Sequence, residues 1–236
     1  FSPVKRRERV LVTSGHPLAV STPYHPIMQP GSVLLLHGAG SGPGIFTGWE
    51  EYFPDSHFVP VDLQEGLRIE TASMTDYAAR AVAEGRRARP PLLICGWSMG
   101  GLVAMLAARQ LRPGWLALLE PSPPAEVQGC DETVTPRPGA FDPEAVYGPF
   151  PDGIRARPES SFARSERKRG ISVGPLPCPT LVVYGRDFPD ERGRLIAEAY
   201  HGDAVELEDL EHWGLVLDRR VSAAVSNWAA KTPPAG

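Results

Sequence analysis

Gly96-Trp97-Ser98-Met99-Gly100-Gly101 sets a serine between glycines, directly after an apolar run and directly before a stretch of small and apolar residues. A run that reads as strand and a stretch that reads as helix, joined with no spare residues, force a sharp turn with Ser98 at its tip. Gly96 and Gly100 carry no Cβ, so the neighbouring backbone can approach closely. The hydroxyl is then held exposed beside a helix N-terminus, where the helix dipole meets developing negative charge. This is the context of a G-x-S-x-G nucleophile elbow, and its chemistry is acyl transfer through a covalent serine intermediate.

A serine hydroxyl needs an adjacent base. The chain has six histidines, His16, His25, His37, His57, His201 and His212. His212 follows the last predicted strand and precedes the final predicted helix. At the carboxyl edge of a parallel sheet such a loop can face the elbow. The other five read as structural or solvent-exposed. The third group should be a carboxylate that orients the imidazole. Asp187, close after the strand ending at Tyr184-Gly185, is the first choice. Asp190 stands where a helix would start and suits an N-cap. Glu120, at the end of the strand before residue 121, is the third candidate. The backbone N–H of Met99 is one expected oxyanion donor. The other should come from His37-Gly38-Ala39-Gly40, with Ala39 first and Gly40 second. Gly38, Gly40, Trp97 and Trp213 adjoin these groups and are the expected substrate contacts. The glycine-rich loop has no G-x-x-x-x-G-K-[ST] pattern, which argues against phosphate binding there.

These residues need a scaffold that gathers strand ends. Residues 9–12 and 18–21 read as strands joined by a turn at Ser14-Gly15-His16-Pro17. Short apolar runs at 32–36, 57–63, 92–95, 115–119, 180–184 and 204–207 read as further strands, mostly buried on both faces. Helical spacing covers 76–87, with Thr75 as a candidate N-cap, then 99–111, 190–200 and 216–230. Alternation of this kind predicts an α/β fold with a mostly parallel sheet of about eight strands and helices on both faces. Residues 121–179 interrupt the rhythm. They are rich in proline, with some helix expected at 160–169, and read as a short insertion. The core is then 1–120 and 180–236.

Composition narrows the classes. The chain has 236 residues, 42% of them apolar, with 24 Gly and 26 Pro, which fits a globular protein with many turns. Its net charge is −4 with both signs interspersed, so nucleic acid is not an expected partner. The basic runs at 5–9 and 164–169 read as solvated surface. Three cysteines make no disulfide framework, and Cys95 reads as a small buried hydrophobe. No apolar run approaches the ~18 residues that span a bilayer. No signal peptide is visible, and the expected location is the cytoplasm, although the chain begins at Phe1.

Leu35-Leu36-His37-Gly38, the Ser98 elbow, residues 181–187 and Glu211-His212-Trp213 together resemble the α/β-hydrolase family, over roughly residues 8–230. Asp62-Leu63-Gln64-Glu65-Gly66 looks like that family's loop after its fourth strand. The resemblance implies a serine hydrolase with a serine, acid, histidine order, and residues 121–179 as a short cap. It implies no metal or organic cofactor and a small acyl substrate, an ester or thioester. C–C bond hydrolysis, lactone hydrolysis or acyl transfer would use the same triad, and a non-catalytic ligand-binding member is the reading of another class. In many relatives the acid lies three residues after the glycine ending its strand. That position here is Phe188, with Asp187 and Asp190 on either side, so the acid is open.

Overall fold

The computed structural model describes residues 29–186 and 191–236. In chain order the elements are β1 (Ser32–Leu36), β2 (His57–Val61), α1 (Met74–Gly85), β3 (Leu92–Trp97), α2 (Met99–Leu111) and β4 (Trp115–Leu119). Next come α3 (Ala125–Gln128), β5 (Ala140–Phe141), α4 (Pro143–Tyr147), β6 (Glu159–Ser160) and α5 (Ser161–Arg169). The chain closes with β7 (Thr180–Gly185), α6 (Arg192–Ala199), β8 (Asp203–Leu207), α7 (Gly214–Leu217) and α8 (Arg219–Lys231).

Among the described residues six strands form one sheet, in the order β2-β1-β3-β4-β7-β8, and every neighbouring pair in it is parallel. The sequence leads to about eight strands, and the two expected at 9–12 and 18–21 lie outside the described residues. The small β5–β6 pair is antiparallel and separate from the main sheet.

Apolar residues in these strands are sorted by the two-residue side-chain period. Leu34 and Leu36 of β1 point to one face, where they join Met74 and Tyr77 of α1, Leu102 and Met105 of α2, and Ile196 of α6. Val33 and Leu35 point to the other, with Trp49, Phe53, and Val221 and Val225 of α8. Both faces are covered, so the central strands β1, β3 and β4 are buried along their whole length. The edges are more polar. β2 carries Pro60, which lacks an N–H and suits an edge strand. β8 leaves Asp203 and Glu206 exposed.

The order of strands places the site. From β1 the chain goes to β2 on one side and then to β3 on the other. The loops leaving β1 and β3 therefore part in opposite directions, and a crevice opens between them at the carboxyl ends. Residues 37–42 and Ser98 are those two loops.

Two helix boundaries differ from the sequence reading. The N-cap of α1 is Ser73 rather than Thr75. Its hydroxyl accepts from Asp76 N at 3.1 Å, and the Asp76 carboxylate accepts from Ser73 N at 2.8 Å. This reciprocal pair is a capping box. The helix expected over 216–230 is two helices, because Asp218 leaves helical geometry and accepts from Arg220 N at 2.8 Å, capping α8.

Gly100 sits in the first turn of α2, against the end of β1. A Cβ there would stand 2.2 Å from the Leu36 carbonyl oxygen and 2.5 Å from that of His37. Neither oxygen can move without breaking β1. Gly100→Ala is therefore expected to destabilise the protein by about 3 kcal/mol or more, the upper range for overpacking. Urea unfolding of both proteins measures it, and a change below ~1 kcal/mol would contradict the packing described.

Candidate active site

Ser98 links β3 to α2 with φ 56° and ψ −120°, a left-handed conformation that a residue with a Cβ rarely adopts. The turn is held by its neighbours. Ser98 N donates to Leu119 O at 2.9 Å. Its carbonyl accepts from Gly101 N at 3.0 Å and from Ser122 N at 2.8 Å. Strain of this kind persists only where surrounding bonds over-determine it. Met99 opens α2, so its N–H belongs to the set with no partner inside the helix.

His212 lies in the loop between β8 and α7. Its Nδ1 is 2.6 Å from Glu120 Oε2. The indole Nε1 of Trp97 donates to the His212 carbonyl at 3.0 Å, and the two rings stack at 4.7 Å. Imidazole position is thus set from both backbone and ring. Glu120 follows β4 directly and has φ 37°. It is 4% exposed. Its N donates to Val183 O at 2.9 Å, and its second oxygen, Oε1, accepts from Gly185 N at 3.0 Å. Both carboxylate oxygens are therefore engaged, one by the histidine and one by the end of β7.

The loop after β1 runs directly over the elbow. A Cβ on Gly38 would meet the Trp97 ring at 2.7 Å and the Ser98 Cβ at 3.1 Å, so only glycine fits there. His37 is fully buried. Its Nε2 accepts from Leu63 N at 3.0 Å, which leaves Nδ1 to donate to Gly38 O at 2.9 Å. It anchors the loop. Gly40 N donates to Glu159 Oε2 at 2.9 Å and is already committed. Glu159 is fully buried and also accepts from Ser160 N, from Gln64 Nε2 and from the Tyr77 hydroxyl. Burial first, and then the charge on Glu159, raise the Tyr77 phenol above its ordinary range, so it remains a donor. Farther along, Arg157 clamps Asp62 with two bonds at 2.8 and 3.0 Å and donates to Ser41 O.

Ser98 and His212 line one cavity of about 190 Å³. Ala39, Trp97 and Trp213 share its wall with them, and residues from 121–179 add Ser122, Tyr147, Phe150 and Arg167. Phe150 packs edge-on against Trp213 at 4.7 Å. Arg167 sits in the basic run that the sequence assigned to solvated surface. The helix α5 instead turns Arg164 over the Phe141 and Tyr147 rings and Arg167 into the cavity wall, while Lys168 and Arg169 stay exposed.

The sequence-expected residues are thus distributed unevenly. Ser98, His212, Ala39, Trp97 and Trp213 converge. Gly38 and Gly40 shape the loop behind Ala39. Asp187 and Asp190 lie outside the described residues, and the carboxylate on His212 is Glu120. Glu159 and Arg167 carried no signal in sequence, Glu159 being a single charge inside a proline-rich segment and Arg167 one of several charges in a basic run. Cys95 is buried, which pushes its thiol well above the ordinary range. Among the described residues no group of three His, Cys, Asp or Glu side chains is placed to hold a metal ion. Nor is any helix among them long and apolar enough to cross a membrane.

A family model described as the thioesterase domain matches residues 32–118. The pimeloyl-(acyl-carrier protein) methyl ester esterase of Aromatoleum aromaticum is 28% identical over 199 residues, covering 77% of this chain and 66% of that protein. The chain therefore spans just under two thirds of the length of that relative. Among solved structures, polyneuridine aldehyde esterase superposes with a TM-score of 0.60 at 16% identity, covering 84% of this chain and 98% of that one. The pyrethroid hydrolase PytH gives 0.61 at 14% identity, covering 85% and 98%. RedJ, with polyethylene glycol in its active site, gives 0.57 at 18%, covering 92% and 98%. With the parallel sheet and the serine turn at its switch point, these likenesses define the architecture. The chain has the α/β-hydrolase fold.

Because Glu159 takes donors from several segments, Glu159→Ala would leave them buried and unpaired. It is expected to cost about 3 kcal/mol of stability, the upper range for unsatisfied buried groups. Chemical denaturation measures this, and an unchanged midpoint would show that Glu159 does not hold the loop.

Proposed function

We propose that the chain is a serine hydrolase that cleaves a carboxylic ester or thioester through an acyl-enzyme on Ser98, with His212 as general base and Glu120 as its orienting acid. The observation that carries this reading is the 2.6 Å bond from Glu120 to His212, beside a cavity that both His212 and Ser98 line. Asp187 was the first expectation from sequence. Glu120 takes the role because it already holds Nδ1, the side of the ring that an orienting carboxylate occupies.

The chemistry follows from these positions. His212, with Nδ1–H held by Glu120, has Nε2 free to take the Ser98 proton. The Ser98 oxygen attacks the acyl carbon, and the carbonyl oxygen becomes an oxyanion. Met99 N–H and Ala39 N–H are the donors for it. Gly40, the second choice for the loop donor, is spent on Glu159. Collapse expels the alcohol or thiol, which takes the proton from His212. Water, deprotonated by the same histidine, then attacks the acyl carbon and releases the acid. Residues 121–179 act as a short cap, since they supply Ser122, Tyr147, Phe150 and Arg167 to the wall.

The thioesterase-domain likeness and the ester-cleaving relatives support this substrate class. The three cysteines are free, with Cys178 pushed up to about 12 by burial. Unpaired thiols fit a reducing compartment such as the cytoplasm.

A panel of p-nitrophenyl esters with Ser98→Ala as control tests the reaction. Turnover and fluorophosphonate labelling are expected in the wild type and lost in the variant. Neither turnover nor labelling in the wild type would sink the hydrolase reading. For the acid, Glu120→Gln is expected to lower kcat by about 10⁴, by analogy with the serine protease triad, while Asp187→Asn stays close to wild type. The reverse pattern would return the role to Asp187.

A further inference from the structure

We propose that the Ser98 cavity takes a substrate bearing an anionic oxygen group, a carboxylate or a phosphate, and that Arg167 binds that group. This rests on the hydrolase reading of the same cavity.

Arg167 comes from the last turns of α5 into the cavity wall. Its Nη1 donates to Ser122 Oγ at 3.3 Å, and Ser122 N donates to the Ser98 carbonyl at 2.8 Å. One residue therefore separates the guanidinium from the nucleophile's backbone. The remaining donors tell the rest. Nε and Nη2 are buried and have no hydrogen-bond partner. Other arginines here meet carboxylates: Arg157 meets Asp62, Arg80 meets Glu65 and Glu84, and Arg220 meets Asp209 and Asp218. Among the described residues no carboxylate is paired with Arg167. Glu120 is the acid behind the cavity, and both its oxygens are taken by His212 and Gly185.

A guanidinium cannot shed its proton to escape burial. Withdrawn from water without a counter-ion, it is a costly group to keep. An entering anion would supply the missing charge. The aromatic walls, Trp97, Phe150 and Trp213, lower the local dielectric and strengthen that attraction. The same walls suit a short apolar chain between the anion and the acyl carbon. In a cavity of about 190 Å³ that chain is only a few carbons long. Two substrate types share this chemistry. One is the half-ester of a short dicarboxylic acid, with the carboxylate on the acyl side. The other is an acyl thioester whose leaving group carries a phosphate.

Matched substrate pairs separate them. Mono-p-nitrophenyl glutarate against p-nitrophenyl pentanoate replaces a methyl by a carboxylate on the acyl side. S-butyryl 2-mercaptoethyl phosphate against S-butyryl 2-mercaptoethanol adds a phosphate on the leaving side, within the same short reach. In wild type one pair should favour its charged member by about 10- to 100-fold in kcat/KM, the range for hydrogen bonds to a charged group. The pair that does so names the source. That ratio should fall toward one in Arg167→Met and stay in part in Arg167→Lys. No preference in either pair, or a preference that survives Arg167→Met, overturns the proposal. Calorimetric titration of Ser98→Ala with glutarate and with inorganic phosphate reads the site without catalysis. Heat that disappears on adding Arg167→Met supports the proposal, and no heat from either anion counts against it. Ester turnover by wild type with neither anion bound would leave the hydrolase reading standing while the anion site falls. Thermal melting gives a further check. A residue kept for a ligand should melt at or above wild type when changed to Met, and a large drop would mark Arg167 as structural.

Discussion

The close approach of α2 to the end of β1 is the constraint on which the site depends. The first turn of the helix meets the Leu36 and His37 carbonyls with room only for a hydrogen at Gly100. That contact brings the strand–turn–helix at Ser98 against the loop that leaves β1. The two expected oxyanion donors, Ala39 and Met99, belong to those two segments. Parallel pairing of β1 with β3 puts Leu36 beside Gly96, so both strands end at the same level. Any side chain at Gly100 would push the helix off the strand and separate the donors.

Around this contact, charge does the work that apolar packing cannot. Loops at the carboxyl edge have few apolar side chains, so buried polar groups hold them. Glu120 ties the His212 loop to the ends of β4 and β7. Glu159 ties the loop after β1 to α1 and to residues 121–179. Arg157 joins Asp62 to Ser41. Each of these bonds spans a long stretch of sequence, and each carboxylate has its donors satisfied, which is the condition for a buried charge to be tolerated. Arg167 is the exception, and its exposure to the cavity rather than to a partner sets it apart from the structural ions.

Much of the scaffold was legible because its signals are local. Met99–Leu111 and Trp115–Leu119 match the sequence reading at both ends, since each is a compact run with a proline two residues beyond its end. Boundaries set by side-chain bonds were less legible. Thr75 and Ser73 are equivalent as sequence, and only the reach of Asp76 selects Ser73. The break at Asp218 is likewise a cap written into a continuous apolar pattern. Arg167 looked like its neighbours in the basic run, because periodicity does not say which face of a short helix meets the core.

Ser98 and the order of strands and helices around it were determined by the sequence alone, since a sharp turn between a strand and a helix needs particular residues at fixed positions. His212 came from its place after the last strand. Its acid did not. Three carboxylates ended strands or followed them, and nothing local ranks one above another. Strand order decides that Glu120, at the end of the strand next to the one that leads into Ser98, meets the imidazole. Which strands become neighbours depends on contacts between residues far apart in the chain, so the partner of His212 and the cation in the cavity wall belong to the tertiary structure.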